Sequence, residues 1–140
     1  MKTYDYYIGI DPGVNTGCAV WSKEKKSLVQ VETATIHKVM EGITKAKTTL
    51  GYSIFVRFED ARQRRWLGEK GREALQGAGS IKRDCKIWED FLKDLDVDFE
   101  MVPPGKGKTK WTDDLFRKVT GWTGRTSNHA RDAAMLVFGS

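Results

Sequence analysis

Residues 4–13 read Tyr4-Asp5-Tyr6-Tyr7-Ile8-Gly9-Ile10-Asp11-Pro12-Gly13. Tyr4 to Ile10 is rich in aromatic and β-branched side chains, which predicts a strand. The strand ends on a carboxylate, and the chain then turns sharply at Pro12-Gly13. In a sheet covered by helices, functional groups gather at strand ends, which makes Asp11 a candidate for chemistry. Asp-Pro-Gly is also a common plain turn. Asp11 therefore gains weight only from what surrounds it.

Outward from this strand, Gly17 to Ser22 reads as a second strand and Lys23-Glu24-Lys25-Lys26 as a turn. Leu28 to Ile36 returns as a third, with Val29, Val31, Thr33 and Thr35 alternating against Gln30, Glu32 and Ala34. The three predict an antiparallel meander. Val39, Ile43, Ala46 and Leu50 then mark one face of a helix. Ser53 to Phe58 is a short apolar strand whose far end delivers Glu59. Gly68, Gly71, Gly77 and Gly79 suggest a linker, followed by an amphipathic helix on Ile81, Cys85, Trp88, Leu92 and Leu95. Val97 to Val102 is a fifth strand, stopped by Pro103-Pro104. Gly105 to Lys110 is a glycine- and lysine-rich loop. Thr112 can cap a short helix holding Leu115 and Val119, and Ser127 or Asn128 a last helix to Phe138. This order predicts an α/β domain over residues 1–140, a mixed five-stranded sheet with helices on both faces.

Composition narrows the class. The chain has 140 residues, enough for one domain with a real core. No apolar run approaches the roughly 20 residues of a membrane span. The first residues lack the pattern of a signal peptide, so a cytoplasmic location is expected. Cys18 and Cys85 have no metal-site spacing and read as small core residues. The net charge of +5 is a weak pointer to nucleic acid, but its distribution says more. Arg57, Arg62, Arg64, Arg65, Lys70 and Arg72 crowd one stretch, and Lys106, Lys108, Lys110, Arg117 and Lys118 another. Such clusters can neutralise phosphates.

Two further constellations join Asp11. Phe55-Val56-Arg57-Phe58-Glu59-Asp60 is again an apolar strand that stops at an acid. If it runs parallel to the first strand and beside it, Glu59 approaches Asp11, and a divalent cation would relieve their repulsion. Asp60 reads as part of a solvated acidic turn. In Asn128-His129-Ala130-Arg131-Asp132-Ala133-Ala134, His129 and Asp132 are three apart and share a helix face. The neighbouring alanines would let that helix approach the sheet closely. Asp11, Glu59, His129 and Asp132 thus form a candidate catalytic and metal-binding set. Its oxygens suit Mg²⁺ or Mn²⁺, one or two ions, and its nitrogen tilts the preference toward Mn²⁺. Two ions of this kind support in-line phosphodiester displacement. His37 and His129 are the only histidines, and no nucleophile–base pair or Gly-x-x-x-x-Gly-Lys-Ser/Thr loop is present.

Gly9-Ile10-Asp11-Pro12-Gly13 with Thr16-Gly17, Phe58-Glu59, and His129-Ala130-Arg131-Asp132-Ala133 together resemble the three acidic motifs of RuvC-type Holliday junction resolvases. The resemblance implies a ribonuclease H-like fold and a homodimer that nicks symmetric strands of a four-way junction with Mg²⁺ or Mn²⁺. It implies roles in DNA recombination and repair, and its compactness is that of a phage or viral version. Many members carry Asp where this chain has His129, although His also occurs there. The resemblance also gives the basic segments a place. Arg62, Arg64, Arg65 and Trp66 would lie near the junction centre, where an aromatic can stack on an unpaired base. Lys106, Lys108 and Lys110 would form a basic loop near the active site. Trp66 also reads as a core aromatic, and Trp21, Trp88, Trp111 and Trp122 read as core or sheet-covering residues. Three other functions compete. One is a less selective YqgF-like nuclease on forks, flaps or RNA-containing duplexes. Another is a non-catalytic branched-DNA-binding module. The third, an actin-like ATPase, needs two domains, for which the chain is far too short.

Overall fold

A computed structural model describes residues 2–63, 72–104 and 111–140, with side chains omitted for residues 72–78. Among these, the strands are β1 (Tyr6–Asp11), β2 (Asn15–Ser22), β3 (Ser27–Thr35), β4 (Ile54–Glu59) and β5 (Asp98–Val102). The helices are α1 (Ile36–Thr44), α2 (Arg72–Asp94), α3 (Asp113–Thr120) and α4 (Asn128–Val137). The sheet order is β3-β2-β1-β4-β5. β1–β2 and β2–β3 are antiparallel, while β1–β4 and β4–β5 are parallel. This is the mixed sheet expected from the sequence.

Each face of the sheet carries its own core. On one side Ile8, Ile10, Val56 and Phe58 meet α1 through Val39 and Ile43, and α2 through Cys85, Trp88 and Leu92. Cys85, Trp88 and Leu92 are all completely buried, so truncating Trp88 to alanine should cost about 3–5 kcal/mol. On the other side Ala19, Trp21, Leu28 and Val31 lie under Phe116 of α3 and the alanines of α4.

Several local expectations need correction. A register shift between Val20 and Trp21 interrupts the β2–β3 ladder. It brings Leu28 and Val31 to the same face and leaves Val29 exposed, so the simple alternation fails at the bulge. The α1 helix loosens into a π-turn over Lys45–Thr49. The wider turn changes the helical phase, and Leu50 is exposed rather than continuing the Val39–Ile43 stripe. Gly77 and Gly79 mark a linker by composition, yet both lie inside α2. Packing of the helix's later turns overrides their low propensity. Ile81, placed on the apolar face by its spacing, is exposed. In α3 the buried residue is Phe116, while Leu115 and Val119 face solvent. Thr112 caps α3 by accepting from the Leu115 N–H, and left-handed Gly121 ends it. Trp111 and Trp122 are partly buried against the second core.

Candidate active site

α4 lies against the sheet almost backbone to backbone. A Cβ on Gly9 would come within 2.0 Å of the Ala133 carbonyl oxygen, and one on Gly17 within 2.1 Å of that of His129. Any side chain at either position would lift the helix. Ala130, Ala133 and Ala134 supply the matching thin surface and are fully buried. Gly17 is the β2 partner of Asp11, so the close approach occurs beside the candidate acid.

The N-terminus of α4 is fixed from two sides. The Ser127 hydroxyl accepts from the Ala130 N–H and also contacts the Thr33 hydroxyl on β3. Arg131 is buried, and its guanidinium donates to the Trp111 carbonyl at 2.8 Å, Thr126 Oγ1 at 2.5 Å and Asn128 Oδ1 at 2.6 Å. The strand-end turn is fixed by Thr16, fully buried, whose hydroxyl donates to the Gly13 carbonyl at 2.7 Å.

These restraints bring His129 Nδ1 to 2.9 Å from Asp11 Oδ2. The Asp11 side chain is 16% exposed and that of His129 58%, so the imidazole forms the open side of the pair. β4 runs parallel to β1 with Ile10 opposite Phe58, and one residue further on both strands end in acids, Asp11 and Glu59. Burial pushes the Asp11 carboxyl above its usual range, and the hydrogen bond from His129 draws it back. The charges of Glu59 and Asp132 push it in the same direction as burial. Asp132, partly buried, lies three residues after His129 on α4. Among the described residues, no three His, Cys, Asp or Glu side chains close into a ligand cluster; the tight contact is the Asp11–His129 pair.

Asp60 is not a solvated turn residue. It is 3% exposed and binds Arg62 through Nε at 2.7 Å and Nη2 at 3.1 Å. Burial alone would raise its carboxyl, but hydrogen bonds from Arg62 and Gln63 outweigh burial and hold it below the ordinary value. Arg62 also donates to Glu89 Oε1 at 2.9 Å. Grouped by sequence with the phosphate-binding arginines, it is engaged in the DNA-free chain by two of the chain's own carboxylates. Arg57 likewise pairs with Glu100 and lies over the Tyr7 and Phe55 rings. Arg64, Arg65, Trp66, Lys70, Lys106, Lys108 and Lys110 lie outside the described residues. Gly9, Gly17, Asp60 and Arg131 were not singled out as site-building residues by sequence. For Arg131, its place between His129 and Asp132 was the available signal.

No family model and no curated protein matches the sequence. Among solved structures, the fold is similar to that of RuvC from T. thermophilus in complex with a Holliday junction substrate. The TM-score is 0.54 at 14% identity, over 91% of this chain and 87% of that chain. A likeness at that identity is one of fold, and the fold is ribonuclease H-like.

Proposed function

We propose that this chain is a structure-selective endodeoxyribonuclease that resolves Holliday junctions and related branched DNA by divalent-metal-dependent phosphodiester hydrolysis. The observation that carries this reading is the Asp11–His129 pair at 2.9 Å, with Asp11 destabilised as an anion by burial and by the charges of Glu59 and Asp132. A carboxylate in that setting favours a cation. The donor chemistry, three carboxylates and one imidazole, fits Mg²⁺ or Mn²⁺. Asp11, Glu59, His129 and Asp132 would hold the ion, which supplies Lewis-acid activation of the phosphodiester. The chain's own part is orientation. The glycine contacts hold His129 over Asp11, and the parallel β1–β4 pairing holds Glu59 at the same sheet end.

The similar T. thermophilus protein carries a Holliday junction substrate, which supports a four-way junction as the substrate here. A homodimer with two such sites would nick symmetric strands. Arg64, Arg65, Trp66, Lys106, Lys108 and Lys110 are the proposed DNA contacts. The decisive experiment is Asp11→Asn assayed on a four-way junction, a fork, a flap, a linear duplex and an RNA:DNA hybrid. The variant should lose Mg²⁺- or Mn²⁺-dependent nicking while junction binding persists. Nicking at the wild-type rate would refute the site. Equal cutting of all substrates by the wild type would refute junction selectivity, and salt-sensitive binding without any metal-dependent product would mark a non-catalytic module.

A further inference from the structure

The charge cluster immediately after β4, with Asp60 buried and Arg62 and Glu89 partly buried, is absent from the catalytic set. Asp60 follows Glu59 directly. Its backbone N–H donates to the Val102 carbonyl at 2.7 Å, continuing the β4–β5 pairing past the strand end. Its carboxylate accepts the Arg62 fork through both oxygens, and also the Arg62 backbone N–H at 3.1 Å and the Gln63 amide at 3.3 Å. The second partner of Arg62 is Glu89 on α2, whose other oxygen takes Lys93 Nζ at 2.8 Å. The chain just beyond Glu59 is thus bonded to β5 and to α2.

A buried ion pair is a poor way to gain stability, since desolvation offsets most of the attraction and an apolar residue could fill the space. What a guanidinium–carboxylate fork supplies is fixed distance and direction. Beside a strand end, fixed direction matters most to the neighbouring side chain. We infer that Asp60, Arg62 and Glu89 form a positioning brace that sets the place of Glu59 and, through it, the affinity of the site for a divalent ion. The inference rests on the reading of Glu59 as a metal ligand. Arg62 in this role acts through Glu59 and not on DNA.

The test is Mn²⁺ binding to the DNA-free full chain, followed by electron paramagnetic resonance or calorimetry, for the wild type and for Glu59→Gln, Asp60→Asn, Arg62→Lys and Glu89→Gln. Groups bonded directly to metal ligands typically control affinity by about 10–100-fold, and a brace on the residue next to a ligand acts toward the lower end of that range. Asp60→Asn and Arg62→Lys should therefore each weaken Mn²⁺ by about 10-fold or more, and Glu89→Gln by less. The half-saturating Mn²⁺ for junction nicking should rise in step, with most of the rate recovered at saturating metal. Thermal unfolding, run in parallel, separates this from general destabilisation. If Asp60→Asn does not fold, Arg62→Lys and Glu89→Gln carry the test, because both leave the Asp60 carboxylate in place. A folded Arg62→Lys or Asp60→Asn that binds Mn²⁺ as tightly as the wild type overturns the brace, and so does an Arg62→Lys that loses DNA affinity alone. Failure of the metal site itself looks different: the wild type would bind no Mn²⁺, or Glu59→Gln would bind it undiminished.

Discussion

The carbonyl oxygen of His129 lies where a Cβ on Gly17 would be, 2.1 Å from that point. Gly17 pairs with Asp11 across β1–β2, so one backbone contact ties the helix bearing the imidazole to the strand bearing the acid. Because the obstacle is backbone on both sides, no rotamer change can relieve it. Gly17→Ala should shift α4 outward and cost about 1–3 kcal/mol, the usual range for overpacking a tight contact. Gly9→Ala, aimed at the Ala133 carbonyl one turn further along, should cost a similar amount. Denaturant midpoints measure the stability loss. The Asp11–His129 separation in a crystal structure of the folded variant measures the shift. An unchanged midpoint for Gly17→Ala would mean that the helix does not rest there.

His129 is the only nitrogen donor in the proposed set, and it also supplies the hydrogen bond that offsets burial of Asp11. His129→Asp exchanges a nitrogen for oxygens and adds a third charge acting on Asp11. Two effects should follow. The ratio of Mg²⁺- to Mn²⁺-supported nicking should rise severalfold, since Mg²⁺ prefers oxygen ligands. Without metal the variant should melt lower than the wild type, and added Mg²⁺ should stabilise it more, because a ligand that binds only the folded state raises apparent stability. A variant with the wild-type metal preference would remove His129 from the ligand set.

The order of elements was legible in the sequence because each strand and helix is an apolar-rich segment set off by turn or capping residues, even where, as in α3, the spacing pointed to the wrong face. Asp11 and Glu59 were legible because each ends an apolar run, and the parallel β1–β4 pairing places those ends together. Asp60 was misread for a clear reason. An acid at a strand end looks solvated until its surroundings are known: its own partners, Arg62 and Gln63, are close in sequence, but Arg62 is held in turn by Glu89, 27 residues further along on α2. The bulge at Val20/Trp21 and the π-turn after α1 escaped because a single inserted residue shifts the phase of a pattern without changing its composition. The role of Gly9 and Gly17 was invisible for the opposite reason: a missing side chain leaves no pattern until the helix above it is placed.

Ser127 and Thr112 each cap a helix by accepting a backbone N–H three residues on. Losing either hydroxyl should cost about 1 kcal/mol. The two should differ in activity. Ser127 caps the helix that carries His129 two residues later and also touches Thr33 on β3, whereas α3 carries none of the proposed ligands. Ser127→Ala should therefore lower junction nicking well beyond Thr112→Ala at a matched loss of stability. Urea midpoints set the match, and single-turnover rates at saturating Mn²⁺ make the comparison. Equal rates in the two variants would mean that the cap serves only the fold.

At the far end of the molecule, the Tyr4 hydroxyl donates to Asp98 Oδ2 at 2.6 Å, and Lys2 joins the same oxygen at 3.1 Å. The bond favours a neutral phenol and an ionised carboxylate together. It raises Tyr4 from 10.0 to about 12 and, with Lys2, holds Asp98 below its ordinary value. The Tyr4 pKa is higher in the folded chain than in the unfolded one. Its stabilising contribution is thus full below the unfolded value near 10 and is lost as pH rises through about 12. For Asp98 the folded value is the lower one, so its contribution is present above the unfolded value near 4 and fades as pH falls through the folded value. Tyrosinate absorbance, taken as the difference between the wild type and Tyr4→Phe, should give a Tyr4 midpoint near 12. Asp98→Asn should return that midpoint toward the ordinary phenol value, because the amide carries no charge to oppose the phenolate. A midpoint insensitive to Asp98→Asn would mean that the two groups do not meet in solution.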